Sequence, residues 1–240
     1  MSEQTVTLQT ADGPMDAFVA KPDHPGRAPA LLVAQEAFGV NGHIKNVCRR
    51  IAGQGYVALA PELFHRDGPG IDLPYDDFPK VMPYMARLTN AGLLMDVEAG
   101  LKALRGRDDV DAARVGIIGF CMGGFTTLLA ACRLNVRTAV AFYGGGVVRE
   151  RPGIGLKPFV DELPRAKAPV LAIFGGNDQS ITEEDIAAIR EGLDASGATR
   201  EVVVYPEAGH GFACDARASY HAESATAAWK KTWKWLGGNL

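Results

Sequence analysis

The sequence predicts an α/β fold, a mainly parallel sheet of about seven or eight strands with helices on both faces. Three observations carry this. Short apolar runs alternate with helical stretches along most of the chain. The opening segment instead alternates residue by residue, as an antiparallel hairpin does. At 240 residues the chain has the length of one α/β domain, so residues 1–240 are expected to share one core.

The elements follow in order. Thr5, Thr7 and Gln9 alternate with Val6 and Leu8. Ala11-Asp12-Gly13-Pro14 supplies turn residues, and a second strand falls near Met15 to Ala20. The later strands are Ala30–Ala34, Val57–Ala60, Val115–Phe120, Thr138–Phe142, Val170–Phe174 and Glu201–Tyr205. Their richness in Val, Leu, Ile, Ala and Phe suits strands covered on both faces. Leu94, Val97, Leu101 and Leu104 recur at helical spacing, which assigns Asp96, Glu98, Lys102 and Arg105 to the surface. In the last helix Ala225, Trp229, Trp233 and Leu236 form one stripe that packs on the sheet, with a membrane-surface role as the weaker reading. Two longer loops, from about Pro61 to Pro79 and from Gly144 to Lys167, are of the kind that shape substrate sites.

Composition excludes several classes of function. A formal net charge of −3 offers no basic face for nucleic acid. No apolar run approaches the roughly 18 residues of a membrane span. The start lacks the pattern of a signal peptide, so a cytoplasmic location is expected. The four cysteines, Cys48, Cys121, Cys132 and Cys214, show no CxxC spacing and read as free thiols. Sequence spacing gives a zinc site no support. No metal or organic cofactor is expected.

The strongest local signal is Gly119-Phe120-Cys121-Met122-Gly123-Gly124, between the strand Val115–Ile118 and the helical pattern Phe125 to Cys132. A strand, a tight glycine-flanked turn and a helix form the nucleophile elbow of α/β hydrolases, with Cys where Ser is usual. The turn puts Cys121 at a helix N-terminus, whose partial positive charge favours a thiolate and a forming oxyanion. A buried inert cysteine is the alternative. Chain order weighs against it. Asp178 follows the strand Val170–Phe174, and His210 follows the next strand, which gives the nucleophile–acid–histidine order of this fold at the sheet's ligand-binding edge. Asp178 read alone could be a helix cap, and His210 a loop histidine. In the triad reading His210 moves the proton while Asp178 fixes its tautomer. The Met122 N–H faces the oxyanion, and the second donor comes from the loop after Ala30–Ala34. His24, His43, His65 and His221 lack such placement and are read as structural or solvent-exposed.

These residues resemble the dienelactone hydrolase (carboxymethylenebutenolidase) family over nearly the whole chain. The resemblance rests on Gln35-Glu36-Ala37-Phe38-Gly39-Val40-Asn41, Pro61-Glu62-Leu63-Phe64, the Gly119–Gly124 elbow, Phe142-Tyr143-Gly144 and Gly209-His210-Gly211-Phe212-Ala213. It implies a Cys121–His210–Asp178 triad cleaving a small ester or lactone through a thioester acyl-enzyme. It implies that Glu36 helps deprotonate the thiol when substrate arrives, and a carboxylate there should keep the thiol protonated at rest. It implies Ala37 as the second oxyanion N–H, with Phe38, Tyr143 and Phe212 beside the substrate. The family's serine after the histidine and the arginine three positions on are replaced by Gly211 and Cys214. Its upstream arginine aligns near Asp77 to Lys80, where none stands. Lys80, Arg87 or Arg217 could compensate, but each reads first as a solvated surface charge. The lost clamp weakens the case for an anionic lactone. A broad esterase or thioesterase is therefore the alternative, and a non-catalytic ligand-sensing protein a further one. The expected partner is a small-molecule ester or lactone, without nucleic acid or membrane, on a monomer or homodimer.

Overall fold

The computed structural model describes residues 1–240. Eight strands form one sheet: β1 (Ser2–Thr10), β2 (Gly13–Lys21), β3 (Ala28–Ala34), β4 (Val57–Pro61), β5 (Val110–Phe120), β6 (Ala139–Phe142), β7 (Val170–Gly175) and β8 (Arg200–Tyr205). The order is β1-β2-β4-β3-β5-β6-β7-β8. The β1–β2 hairpin pairs antiparallel and joins β4 antiparallel through β2, while all other pairs are parallel. Six helices cover it: α1 (Gly42–Gly53), α2 (Phe78–Arg87), α3 (Asn90–Arg105), α4 (Met122–Arg133), α5 (Glu183–Asp194) and α6 (Ala222–Asn239). No helix is long and apolar enough to cross a membrane.

The expected strands are all present. The parallel ones are buried along almost their whole length, except for half-buried Pro29 in β3, the sheet-edge strand β8, half-buried at most of its positions, and the polar segment near the start of β5. That burial explains their continuous apolar runs. β5 begins five residues before the expected strand, because Val110 pairs with Ala28 across an irregularity in the ladder. Polar Asp111 and Arg114 hid that extension.

The loop after Pro61 differs more. It holds a short 3₁₀ turn at His65–Asp67 and ends in α2, with Pro79 in its first turn and Pro83 inside it. The prolines masked the helix, because a first-turn proline lacks only an N–H that helix leaves unpaired anyway. The second long loop carries a 3₁₀ turn at Val160–Arg165.

Two surface assignments are corrected. The buried stripe of α3 runs through Leu93, Val97, Leu101 and Leu104, and Leu94 is only half-buried. Asp96 lies on that stripe at 0% exposure. Its carboxylate accepts two hydrogen bonds from Arg66 at 2.7 and 2.9 Å and faces His65 Nε2 at 3.1 Å. His65 is thus structural. In α6 the inward tryptophan beyond Trp229 is Trp235, whose Nε1 donates to Thr138 Oγ1 at 2.9 Å. Trp233 stacks on Trp229 from outside.

Asp96→Ala removes the acceptor for Arg66 and the partner of His65, while Arg66 keeps Asp12 and solvent. The fold is therefore expected to lose about 1–3 kcal/mol, as read by urea unfolding. A loss within 1 kcal/mol, typical of exposed pairs, would show the network to be unimportant.

Candidate active site

β5 delivers Cys121 at its carboxyl end, immediately before α4. The residue has φ 55° and ψ −114°, a left-handed backbone that costs a non-glycine residue of order 1–3 kcal/mol. The turn closes because the residues two positions away on either side, Gly119 and Gly123, lack side chains. A Cβ on Gly119 would lie 2.1 Å from the Gly123 carbonyl oxygen, and one on Gly123 would lie 2.0 Å from that of Ala34. The strain projects the thiol out of the sheet edge. Met122 occupies the first turn of α4, where a helix leaves N–H groups unpaired.

β7 and β8 bring the other two candidates to the same edge. Cys121 Sγ stands 3.1 Å from His210 Nε2, and His210 Nδ1 stands 2.6 Å from Asp178 Oδ2. The other Asp178 oxygen, Oδ1, accepts the Ser180 N–H at 2.8 Å and the Ser180 hydroxyl at 2.7 Å. The carboxylate is thus held on both sides.

Charge follows geometry. Burial opposes the Cys121 thiolate, but the charge and hydrogen bond of His210 outweigh it and hold the thiol below its ordinary value. Burial likewise opposes imidazolium, yet Cys121 and Asp178 raise His210 to about 10. Asp178 falls below the carboxylate range despite burial, through His210 and Ser180. Glu36 does push the thiol up, as its placement suggests, but its effect is smaller than that of His210. The arrangement favours a thiolate–imidazolium pair.

These groups open on a cavity of about 620 Å³ lined by Cys121, His210, Asp178, Ala37, Met122 and Phe38, among others. Phe38 lies on the cavity wall. Tyr143 and Phe212 do not line the cavity. Both are fully buried behind the imidazole, Tyr143 with its ring centroid 5.3 Å from His210 and 5.5 Å from Phe212. Tyr143 also has a positive φ of 38°. Tyr143 packs edge-on against His210, and Phe212 packs against Tyr143.

Glu36 is fully buried, and its Oε1 accepts from Arg217 Nη1 at 3.3 Å. Arg217 lines the cavity and lays its guanidinium over Phe38 and Tyr75, at 5.4 and 5.9 Å. Of the three cations weighed from sequence, this is the one that reaches the site. Lys80 pairs with Asp77, and Arg87 with Asp67. A second guanidinium, Arg151, also lines the cavity and donates to the Ser180 carbonyl at 2.5 Å. Sequence reasoning missed it, since nothing in Arg149-Glu150-Arg151 distinguishes one arginine. Met82 and Met85 reach the cavity from α2, the helix hidden by its prolines. Behind Glu36 lie two further ligand-type groups, His43 and Cys214.

An eight-stranded, mostly parallel sheet with an antiparallel lead-in and a strained cysteine elbow at its carboxyl edge places the protein among the α/β hydrolases. The model of the dienelactone hydrolase family matches residues 15–240. A carboxymethylenebutenolidase-type protein of Methylorubrum extorquens is 42% identical over 232 residues, 96% of this chain and 79% of that one. The carboxymethylenebutenolidase of Pseudomonas putida is 32% identical over 95% of this chain and 93% of its own length. The crystal structure of a dienelactone hydrolase-type protein from Klebsiella pneumoniae superposes with a TM-score of 0.88 at 38% identity, covering 98% of each chain. The chain belongs to the dienelactone hydrolase family of ester-bond hydrolases.

Proposed function

We propose that the protein hydrolyses small carboxylic esters or lactones with Cys121 as nucleophile, His210 as proton carrier and Asp178 as its support. The observation that carries this is the unbroken relay from sulfur through imidazole to carboxylate, 3.1 and 2.6 Å long, on the wall of a cavity. Sγ attacks the acyl carbon, and the carbonyl oxygen takes the negative charge toward the N–H groups of Met122 and Ala37. The intermediate collapses as the carbon–oxygen bond breaks, and His210 gives its proton to the leaving alkoxide. Water, deprotonated by His210, then attacks the thioester and releases the acid and the thiol. The acyl-enzyme supplies the test. Rapid quench with an activated ester and peptide mass spectrometry should find the acyl group on Cys121, and acylation elsewhere would defeat the assignment.

Arg217 and Arg151 favour an acyl group that bears a carboxylate, restoring from new positions the clamp missing at Cys214 and near Lys80. The Phe38, Met82, Met85 and Phe125 surfaces favour the broader esterase reading. Rates on carboxylate-bearing lactones against neutral aryl esters separate the two.

Glu36 has two effects of opposite sign in this scheme. At rest its charge disfavours the thiolate. Once a substrate carboxylate draws Arg217 away, the uncompensated Glu36 charge raises the energy, and with it the nucleophilicity, of the thiolate paired with His210. Glu36→Gln is therefore expected to shift iodoacetamide alkylation of Cys121 to lower pH. It should also slow single-turnover acylation by about tenfold to a hundredfold. Unchanged values of both would remove Glu36 from the mechanism.

A further inference from the structure

Glu36, His43 and Cys214 come from the loop after β3, the first turn of α1 and the loop before α6. All three are buried, and one ligand-type atom from each lies within 4.8 Å of the others. Their present bonding is incomplete. Glu36 gives Oε1 to Arg217, while Oε2 has no partner. His43 faces Asp215 Oδ1 through Nδ1 at 3.5 Å, while Nε2 has no partner. Cys214 Sγ donates one hydrogen bond, 3.5 Å long, to the Tyr75 hydroxyl. Buried polar atoms are nearly always satisfied, so two orphans in one cluster mark a place built for something more.

We propose that Glu36, His43 and Cys214 form an inhibitory binding site for a zinc-class divalent cation. Carboxylate, imidazole and thiolate are the donor types that zinc selects. Zinc ligation at about 2.0–2.3 Å puts tetrahedral donor atoms somewhat over 3 Å apart, so atoms already within 4.8 Å close on an ion by side-chain rotation. Asp215 beside Nδ1 is the outer carboxylate that commonly orients a ligating histidine and leaves its other nitrogen to the metal. Burial holds His43 below its ordinary value, in the neutral form that ligates. Burial also raises Cys214 to about 11. Cation binding therefore exchanges the thiol proton, which leaves to solvent, for a sulfur–metal bond. The scattered positions 36, 43 and 214 explain why no spacing in the sequence signals the site. Phe38 and Arg217 line the catalytic cavity on one side, and Ala213 and Asp215 line a surface groove on the other.

Inhibition rests on the ester-hydrolase reading, because an ion on Glu36 withdraws the carboxylate that serves Cys121; binding itself does not. Cys121 and His210 could also take a soft cation, so binding is read in Cys121→Ala. Titrated with Co²⁺ in chelator-free, reducing buffer, that protein should bind one equivalent and develop a thiolate-to-cobalt charge-transfer band. Adding Cys214→Ser should abolish the band, with Cys48 and Cys132 still present as controls. Adding His43→Gln instead should weaken Co²⁺ binding by about tenfold or more, which keeps the proposal testable if the serine variant fails to fold. In the otherwise wild-type chain, Cys214→Ser should keep its turnover and need about tenfold more Zn²⁺ for inhibition. The absence of a band in Cys121→Ala would overturn the site. So would zinc inhibition undiminished by Cys214→Ser, which would place the ion on Cys121 and His210. Cobalt binding without any esterase activity would keep the site and defeat only the ester reading.

Discussion

The Cys121→Ala protein is expected to lose ester turnover by about 10⁴-fold or more while unfolding at nearly the same denaturant concentration as the wild type. The two halves of this result have separate causes. Loss of turnover follows because no other nucleophile stands within reach of His210 Nε2, whose partner at 3.1 Å is the sulfur itself. Water attack aided by the oxyanion donors would account for whatever rate remains. Stability is preserved because the turn is held by backbone and glycine contacts. The Cys121 N–H donates to the Phe142 carbonyl at 3.0 Å and the Cys121 carbonyl accepts from Phe125 N–H at 3.0 Å, and alanine keeps both. Cys121→Ser is the informative companion. A hydroxyl does not ionise near neutral pH, so His210 would have to remove its proton during attack instead of sharing one already transferred. Turnover surviving in the alanine variant would mean that the relay is ornamental and that ester cleavage happens elsewhere.

Much of this site is legible in the sequence, and the reasons are local. A strand that must turn sharply into a helix needs glycine at 119 and 123, and the chain spells that turn out. Asp178 and His210 each follow an apolar run, so topology alone brings them to one sheet edge. What escapes is whatever depends on distant segments meeting. Arg217 reads as one more surface cation until the fold brings it against Glu36, 181 positions earlier. Asp96 reads as the polar side of α3, because periodicity assigns a charged residue to solvent unless its partners are known, and Arg66 is 30 positions away. Trp233 and Trp235 are both large and apolar, and the stripe fits the first while Thr138 receives the second. Tyr143 and Phe212 stand in motifs beside the candidate site yet lie outside the cavity, since adjacency in sequence says nothing about which side of a histidine a ring will fill.

Asp178→Asn is expected to cut turnover by about 10³-fold with little change in structure. The reason lies in Ser180. Its N–H and its hydroxyl both donate to Asp178 Oδ1, at 2.8 and 2.7 Å, so an asparagine must keep its carbonyl oxygen on that side. Its amide nitrogen then takes the Oδ2 position, 2.6 Å from His210 Nδ1, and donates a hydrogen there. Nδ1 becomes an acceptor, and the imidazole proton moves to Nε2, facing Cys121. A neutral ring so fixed can no longer accept the thiol proton at Nε2. The pH profile gives a second readout. In the wild type the pair that shares one proton persists between the lowered thiol and the raised imidazole. Activity should fall as pH drops through the first and as it rises through the second, the two limbs belonging to the pair as a whole. Without the Asp178 charge the imidazolium loses support, so the alkaline limb should move to lower pH. His210 is still protonated at the acid limb, which should therefore stay in place or move slightly down, and the plateau should narrow from its alkaline side. An asparagine variant that lost rate but kept the wild-type limbs would show that Asp178 acts by holding the loop through Ser180, not by orienting His210.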